Sequence, residues 1–215
     1  MPEVLGHAPG NPCWIDLSTR DMAKAEVFYS GVFGWTFEEP SADSEAGFGA
    51  YRMIYLNGRA VAGAMPRHTP SMPEVWSVYL MVEDAEASAA AVAAAGGQVI
   101  VPPMVVGPRG TMMFALDPAG AAIGGWQPGD FAGFEVVGEH GAPMWFETLS
   151  KDYPASVAFY QEAFGWQTAT MSDTEEFRYT TLGAGEQAKA GIMDAAGLLP
   201  EQVPSMWQAY LGVVD

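Results

Sequence analysis

The sequence predicts an α+β fold, with mostly antiparallel sheets and helices packed on their outer face. Three observations predict it. The chain repeats itself at an offset of 131 residues. Within that repeat an aspartate recurs at Asp21, Asp84, Asp152 and Asp215, spaced 63, 68 and 63. Each follows an apolar, strand-like run, and the first three lead into a helical pattern, where aspartate is the expected N-cap.

The long repeat reads without a gap. PCWIDLSTRDMAKAEVFYSGVFGW from Pro12 aligns with PMWFETLSKDYPASVAFYQEAFGW from Pro143. Trp14 matches Trp145, Asp16 matches Glu147, Phe28-Tyr29 match Phe159-Tyr160, and Trp35 matches Trp166. Trp76 with Trp207, and Tyr79 with Tyr210, keep the same offset. The chain therefore holds two copies of one module, and each module is built from units of about 65 residues: strand, capped helix, strands.

The elements follow in order. Residues 12–18 form a strand and 21–33 a helix whose core face includes Ala25, Phe28, Tyr29 and Val32, at helical spacing. Gly34 ends that helix. Strands follow near 35–39, 49–56 and 59–66, with Asn57-Gly58 as the hairpin signal. Residues 75–82 form a strand and 84–95 an alanine-rich helix stopped by Gly96-Gly97. Strands near 98–101, 111–116 and 121–127 complete the unit, the last two joined by the turn Asp117-Pro118-Ala119-Gly120.

This gives an N-terminal segment 1–11, a first module 12–127, a linker 128–142 and a second module 143–215. By the same offset the second module would run to about residue 258, so it is expected to lack a helix and three strands after Asp215.

Composition narrows the function. Length alone allows one large domain or two of the usual ~100–150 residues. Nine Lys+Arg against 26 Asp+Glu give a net charge of −17, which repels phosphate backbones and anionic membranes. No apolar run reaches membrane-spanning length, and the first residues lack a signal-peptide profile. The single cysteine, Cys13, excludes an internal disulfide and a multi-cysteine zinc site. A cytoplasmic location is expected. Without a phosphate-cradling glycine motif, nucleotide cofactors are not expected.

The βαβββ unit, the FYxxxFGW run occurring twice and the DPxG turn resemble the vicinal oxygen chelate superfamily, which includes glyoxalases, bleomycin-resistance proteins and extradiol dioxygenases. The likeness is greatest to two-module, glyoxalase-like proteins of actinobacteria. It implies paired units curled into half-barrel sheets with helices outside and a ligand cavity within. In enzymatic members it implies a divalent metal held by His, Gln or Glu. The corresponding positions here are Trp14, Ser77 (or Trp76) and Gly124, with Trp145 and Gln208 (or Trp207) in the second module. An indole, a hydroxyl and a glycine make a poor ligand set, so no metal cofactor is expected. His7, His68 and His140 fall in loops and do not supply one.

If Trp14 faces the cavity, strand alternation turns Asp16 inward with it, and likewise Trp145 with Glu147. Ser77, Tyr79, Gln208, Tyr210 and Trp126 join the inward set, and Gly124 leaves open space there. Apolar walls with few polar groups suit a small, flat or aromatic ligand. Trp35, Trp76, Trp166 and Trp207 are assigned to packing.

Asp16 and Glu147 must pair, titrate upward or face water, because burying a bare carboxylate costs several kcal/mol. They are the candidate catalytic residues, as a general base or a ligand acceptor. Arg52 and Arg178 are candidate ligand-binding residues or structural partners of these two acids, matched through Tyr51-Arg52 and Phe177-Arg178. Arg109, in the loop before the 111–116 strand, is read as a solvated loop arginine, with closure of a cavity mouth over an anion as the alternative, and Met104, Met112 and Met113 fill core.

The expected function is binding of a small, largely apolar or aromatic metabolite by a monomer or homodimer. The alternative is a glyoxalase-like lyase or isomerase, a dioxygenase or a hydroxylase-type enzyme.

Overall fold

Four unit openings are visible in the strand order of the computed structural model, which describes residues 7–39, 50–67, 69–70 and 72–214. The first unit comprises β1 (Pro12–Thr19), α1 (Met22–Phe33), β2 (Thr36–Phe37), β3 (Arg52–Leu56) and β4 (Arg59–Pro66). The second comprises β5 (Val75–Met81), α2 (Ala85–Ala94), β6 (Gln98–Val106), β7 (Gly110–Leu116) and β8 (Ala122–Pro128). The third comprises β9 (Pro143–Ser150), α3 (Tyr153–Phe164), β10 (Thr168–Asp173), β11 (Arg178–Leu182), a short 3-10 turn (Gly185–Gln187) and β12 (Ala190–Asp194). A fourth opens with β13 (Met206–Leu211).

Among the described residues these strands form two curved sheets. The larger has the order β2-β3-β4-β1-β5-β8-β7-β6, and the smaller β10-β11-β12-β9-β13. In every complete unit the first strand lies parallel to the last. Units join through their first strands, antiparallel: Trp14 faces Tyr79 and Asp16 faces Ser77 across β1–β5. Trp145 faces Tyr210 and Glu147 faces Gln208 across β9–β13.

Local chemistry explains the ends. Asp21, Asp84 and Asp152 each accept backbone N–H hydrogen bonds at a helix start. Gly34 and Gly165 end α1 and α3 in the left-handed region. Asn57 and Gly58 both have positive φ (52° and 78°), the geometry of the tight hairpin turn. The strand expected at 98–101 runs on to Val106 despite two prolines. It is the sheet edge, where a missing N–H is tolerated, and its register shifts twice on the way. The strand expected at 35–39 is reduced to two residues, and that at 49–56 begins at Arg52, residue 49 lying outside the described set.

Two expectations about packing are corrected. Phe28 and Val32 on α1 are not core: they are 58% and 45% exposed. Ala25 is buried and Tyr29 partly so. On α3 the matching Phe159 and Ala163 are buried, because α2 lies against that face, whereas no described element covers the outer face of α1. The segment between β8 and β9 is also no loose tether. Phe134 and Val136 are buried, Phe134 N–H donates to Cys13 O, and the Glu135 carboxylate accepts from Ala60 N–H.

A tryptophan of each repeat latches reciprocally onto the segment that precedes the other repeat. Trp35 Nε1 donates to Gly141 O at 2.6 Å, and Trp166 Nε1 donates to Gly10 O at 2.9 Å. The Asp117 turn adds a second latch. Asp117 Oδ1 accepts from Ala121 N–H at 2.8 Å, while Oδ2 accepts from Tyr160 O–H at 3.2 Å and Ser156 O–H at 3.3 Å. Asp117→Ala strands the Ala121 N–H and Tyr160 O–H donors, while Ser156 keeps its 2.8 Å hydrogen bond with Ser150, and is expected to cost about 2–3 kcal/mol by urea unfolding. A loss below about 0.5 kcal/mol would show that this turn does not hold the modules together.

Candidate functional site

Each sheet carries the same polar cluster on its concave face. On the first, Trp14 and Asp16 alternate along β1 and point to the same side. Tyr79 O–H donates to Asp16 Oδ2 at 2.7 Å, and Trp14 Nε1 donates to the Tyr51 hydroxyl at 2.7 Å. On the second, Tyr179 O–H donates to Glu147 Oε2 and Tyr210 O–H to Glu147 Oε1, both at 2.5 Å. Trp145 Nε1 donates to the Tyr179 hydroxyl at 2.8 Å. The parallel neighbours of the two acids are Gly63 and Gly191. A Cβ there would lie 1.7 Å from the Tyr51 hydroxyl and 1.9 Å from that of Tyr179, so only glycine admits these phenols.

The clusters differ in what their carboxylates reach. Glu147, one methylene longer, takes a phenol on each oxygen. Asp16 takes one, and its Oδ1 is buried without a hydrogen-bond partner. Asp16 is 2% exposed, and burial pushes its carboxyl up to about 7, against the opposing pull of Tyr79 and Ser77. Burial and the neighbouring Asp16 charge push Tyr51 and Tyr79 up as well. Tyr210 rises to about 12, chiefly because its proton is held by Glu147. Tyr179 rises through burial first and the Glu147 hydrogen bond second.

They also differ in access. Over the first, Phe131 meets Trp14 edge-on at 4.8 Å, Phe134 lies 5.5 Å from it, and Phe114 meets Tyr79 at 5.0 Å. Trp126 is buried there too and donates to Phe131 O. The first concavity is thus filled by side chains. Over the second, Tyr210 is 44% exposed where its counterpart Tyr79 is 4% exposed, and Trp145 and Gln208 are half-buried.

Several expected site residues lie elsewhere. The space above Gly124 is not open: a Cβ there would sit 2.3 Å from the Tyr79 ring, its register partner. Arg52 and Arg178 do not pair with the two acids, because alternation sends them to the helix side. Arg52 binds Glu26 of α1 and the carbonyl oxygens of Glu38 and Phe37. Arg178 binds Asp173 and Asp194 and lies over the Tyr153 ring. Nor are the two arginines counterparts: register aligns Tyr51 with Tyr179, and so Arg52 with Thr180.

Trp35, Trp166 and Trp207 are buried as assigned, whereas Trp76 is half-buried. Met113 is buried, Met112 half-buried and Met104 exposed, so Met104 is not core. Arg109 is half-buried, and its carbonyl accepts from Gly129 N–H at the start of the linker.

The two described histidines stay outside both clusters. His7 rests against Phe134, and His140 Nδ1 accepts from Val214 N–H. His68 lies outside the described residues. Cys13 donates to Tyr79 O, and burial raises its thiol.

The residues missed from sequence are Tyr51 and Tyr179. The signal was present: Tyr51/Tyr179 and Gly63/Gly191 share an offset of 128, shortened from 131 across the preceding hairpin.

The donor set does not fit a family-type divalent metal. The positions are Trp14, Ser77 and a Gly124 covered by a tyrosine ring, and among the described residues no three His, Cys, Asp or Glu converge.

Known proteins share this sequence and architecture. The sequence pattern of the Glyoxalase/Bleomycin resistance protein/Dioxygenase superfamily matches residues 13–124. The protein named putative glyoxylase CFP32 of Mycobacterium tuberculosis (strain CDC 1551 / Oshkosh) is 36% identical over 218 residues, covering 100% of this chain and 82% of its own length. Anthracycline biosynthesis protein DnrV of Streptomyces peucetius is 37% identical over 172 residues, covering 74% of this chain and 62% of its own. The Mn(II)-bound glyoxalase from Novosphingobium aromaticivorans superposes with a TM-score of 0.60 at 15% identity, over 88% of this chain and 62% of that one. The halotolerant catechol dioxygenase BphC gives 0.59 at 14%, over 87% and 65%. At such identities the two structures share the fold.

Proposed function

The chain belongs to the glyoxalase/bleomycin resistance protein/dioxygenase superfamily, and from that premise we propose that it binds a small, largely apolar or aromatic metabolite on the concave face of its second sheet. One observation carries this reading. The Trp–Tyr–acid–Tyr cluster is built twice, and the copy around Glu147 keeps an exposed phenol and a half-buried indole. A flat ring has Trp145 and Tyr210 to stack on, and a ligand hydroxyl has the Glu147 carboxylate to donate to in place of Tyr210. The Asp16 copy, sealed by Phe131 and Phe134, is the folding counterpart. Relatives named for anthracycline biosynthesis favour an aromatic ligand. The same proposal places the protein in the cytoplasm, as a monomer or homodimer, with no nucleic-acid partner.

Calorimetric titration with an anthracycline is expected to saturate at one ligand per chain. Trp145→Ala is expected to weaken Kd about tenfold, the loss of roughly 1.4 kcal/mol of stacking and burial. Trp14→Ala leaves Kd within twofold. An unchanged Kd in Trp145→Ala would remove the second sheet from the binding site.

The alternative, a glyoxalase-like lyase or isomerase, dioxygenase or hydroxylase-type enzyme, draws on one specific observation. Asp16 titrates near neutrality, where a general acid or base works best. That reading requires activity to follow a group near pH 7 and to vanish in Asp16→Asn. Neither reading routes a step through a metal. Elemental analysis of the dialysed protein is expected to return well under one divalent ion per chain, and one ion per chain would overturn the donor assignment.

A further inference from the structure

We propose that Phe131 is a removable plug, the chain's own ring holding shut the first concavity against a single-ring aromatic ligand that carries a hydrogen-bond donor at one end and an anionic group at the other. Phe131 rides on the connection between β8 and β9, which runs from the β6–β7 turn across to β1 and β4. That connection is clamped on either side of the ring. Before it, Gly129 N–H donates to Arg109 O at 2.7 Å and Asp130 N–H to Pro108 O at 3.0 Å. Gly129 lies so close that a Cβ would sit 2.3 Å from Pro108 O. After it, Phe134 N–H donates to Cys13 O at 2.8 Å, and a Cβ on Gly133 would sit 2.2 Å from the same oxygen. Between the clamps, Asp130 and Ala132 are exposed.

The two phenylalanines of this bridge are held differently. Phe134 is 3% exposed and stacks on Phe146 at 5.6 Å, so it is core. Phe131 is only half-buried, and its N–H reaches Arg109 O at a long 3.3 Å. Its ring meets two indoles edge-on, Trp14 at 4.8 Å and Trp126 at 6.1 Å. A ligand ring has the same two partners once Phe131 swings out.

The plug shuts in groups that lack partners. Asp16 Oδ1 and Ser18 Oγ are buried without a hydrogen bond, on the β1 face that carries Trp14. Buried polar atoms are nearly always satisfied, so an orphaned carboxylate oxygen points to an absent donor. At the mouth the Arg109 side chain is half-buried and makes no ion pair among the described residues, whereas Arg20, Arg52, Arg59 and Arg178 all do. Tyr51 lies in the field of both groups: burial raises it most, Asp16 raises it further, and Arg109 lowers it. A ring hydroxyl donating to Asp16 Oδ1 and a carboxylate meeting Arg109 satisfy the two ends together. The Glu147 copy offers no such vacancy, because a phenol donates to each of its carboxylate oxygens.

Calorimetric titration with 4-hydroxybenzoate at pH 7 tests the plug. The parent chain is expected to bind weakly and Phe131→Ala at least about tenfold more tightly, because the plugged state no longer competes. Arg109→Gln is expected to weaken Kd about tenfold in both chains, while 4-hydroxybenzamide, which lacks the charge, is expected to bind alike with or without Arg109. With the Phe131 ring fluorinated in the parent chain, its fluorine resonance is expected to move toward the solvent position as 4-hydroxybenzoate saturates. An affinity that Phe131→Ala leaves unchanged, or a resonance unmoved at saturation, overturns the proposal. So does a gain that the benzamide shares in full and Arg109→Gln leaves intact, which is the filling by any ring of the cavity a truncated phenylalanine leaves. Trp145→Ala, the test of the second sheet, is expected to alter none of these results, so the two readings fail separately.

Discussion

Asp16→Asn is expected to flatten the pH dependence of stability and to make the protein more stable than the parent at pH 8. The folded carboxyl titrates near 7, while a free aspartate does so near 3.8. Between those values the folded state keeps a proton that the unfolded chain has released. Stability from this group is therefore full below about pH 4, falls as pH rises toward 7, and is lowest above it. A gap of about three pH units corresponds to roughly 4 kcal/mol. Asparagine keeps an acceptor for Tyr79 without a charge to bury. Urea unfolding at pH 5 and pH 8 should show the parent losing roughly 2–3 kcal/mol over that interval and the variant much less. Burial raises Asp117 too, so parent and variant share its contribution and their difference isolates Asp16. Parallel pH profiles would mean that Asp16 is ionised and solvated after all.

Phe159→Ala and Phe28→Ala alter matched residues of one motif and are expected to differ by about 3–4 kcal/mol in stability. Phe159 is enclosed by α2 and α3, and truncating it should cost about 3–5 kcal/mol through lost burial and the cavity left behind. For a chain of this size that is a melting-temperature loss of roughly 6–20 °C. Phe28, on an open helix face, should cost under about 0.5 kcal/mol. Equal losses would show that something covers α1 in solution, and cross-linking would then identify it.

This pair shows where reading from sequence stops. Phe28 and Phe159 occur in the same FYxxxFGW run at the same helical position. A periodicity reports which face a helix offers, not whether a neighbour accepts it. The acids tell the same story from the other side. Strand alternation placed Asp16 beside Trp14 and Glu147 beside Trp145, and the register put Tyr79 and Tyr210 opposite the tryptophans. Their partners on the next strand, Tyr51 and Tyr179, were hidden because the hairpin lengths differ, which slipped the alignment and brought Arg52 and Arg178 forward instead.

The sequence by itself determined the repeat, the βαβββ units, the aspartate caps, the glycine ends and the inward carboxylate of each module. These depend on spacing and on residues within a few positions of one another, where the physics is local. The tertiary structure alone decided that tyrosines, not arginines, hold the two acids, and that Tyr79 fills the space over Gly124. It alone decided that Phe131 and Phe134 seal the first concavity while Tyr210 stays exposed on the second. Those outcomes depend on which distant strand or turn lies overhead. Burial then sets the cost of a charge, and burial is a property of the assembled neighbours rather than of the residue.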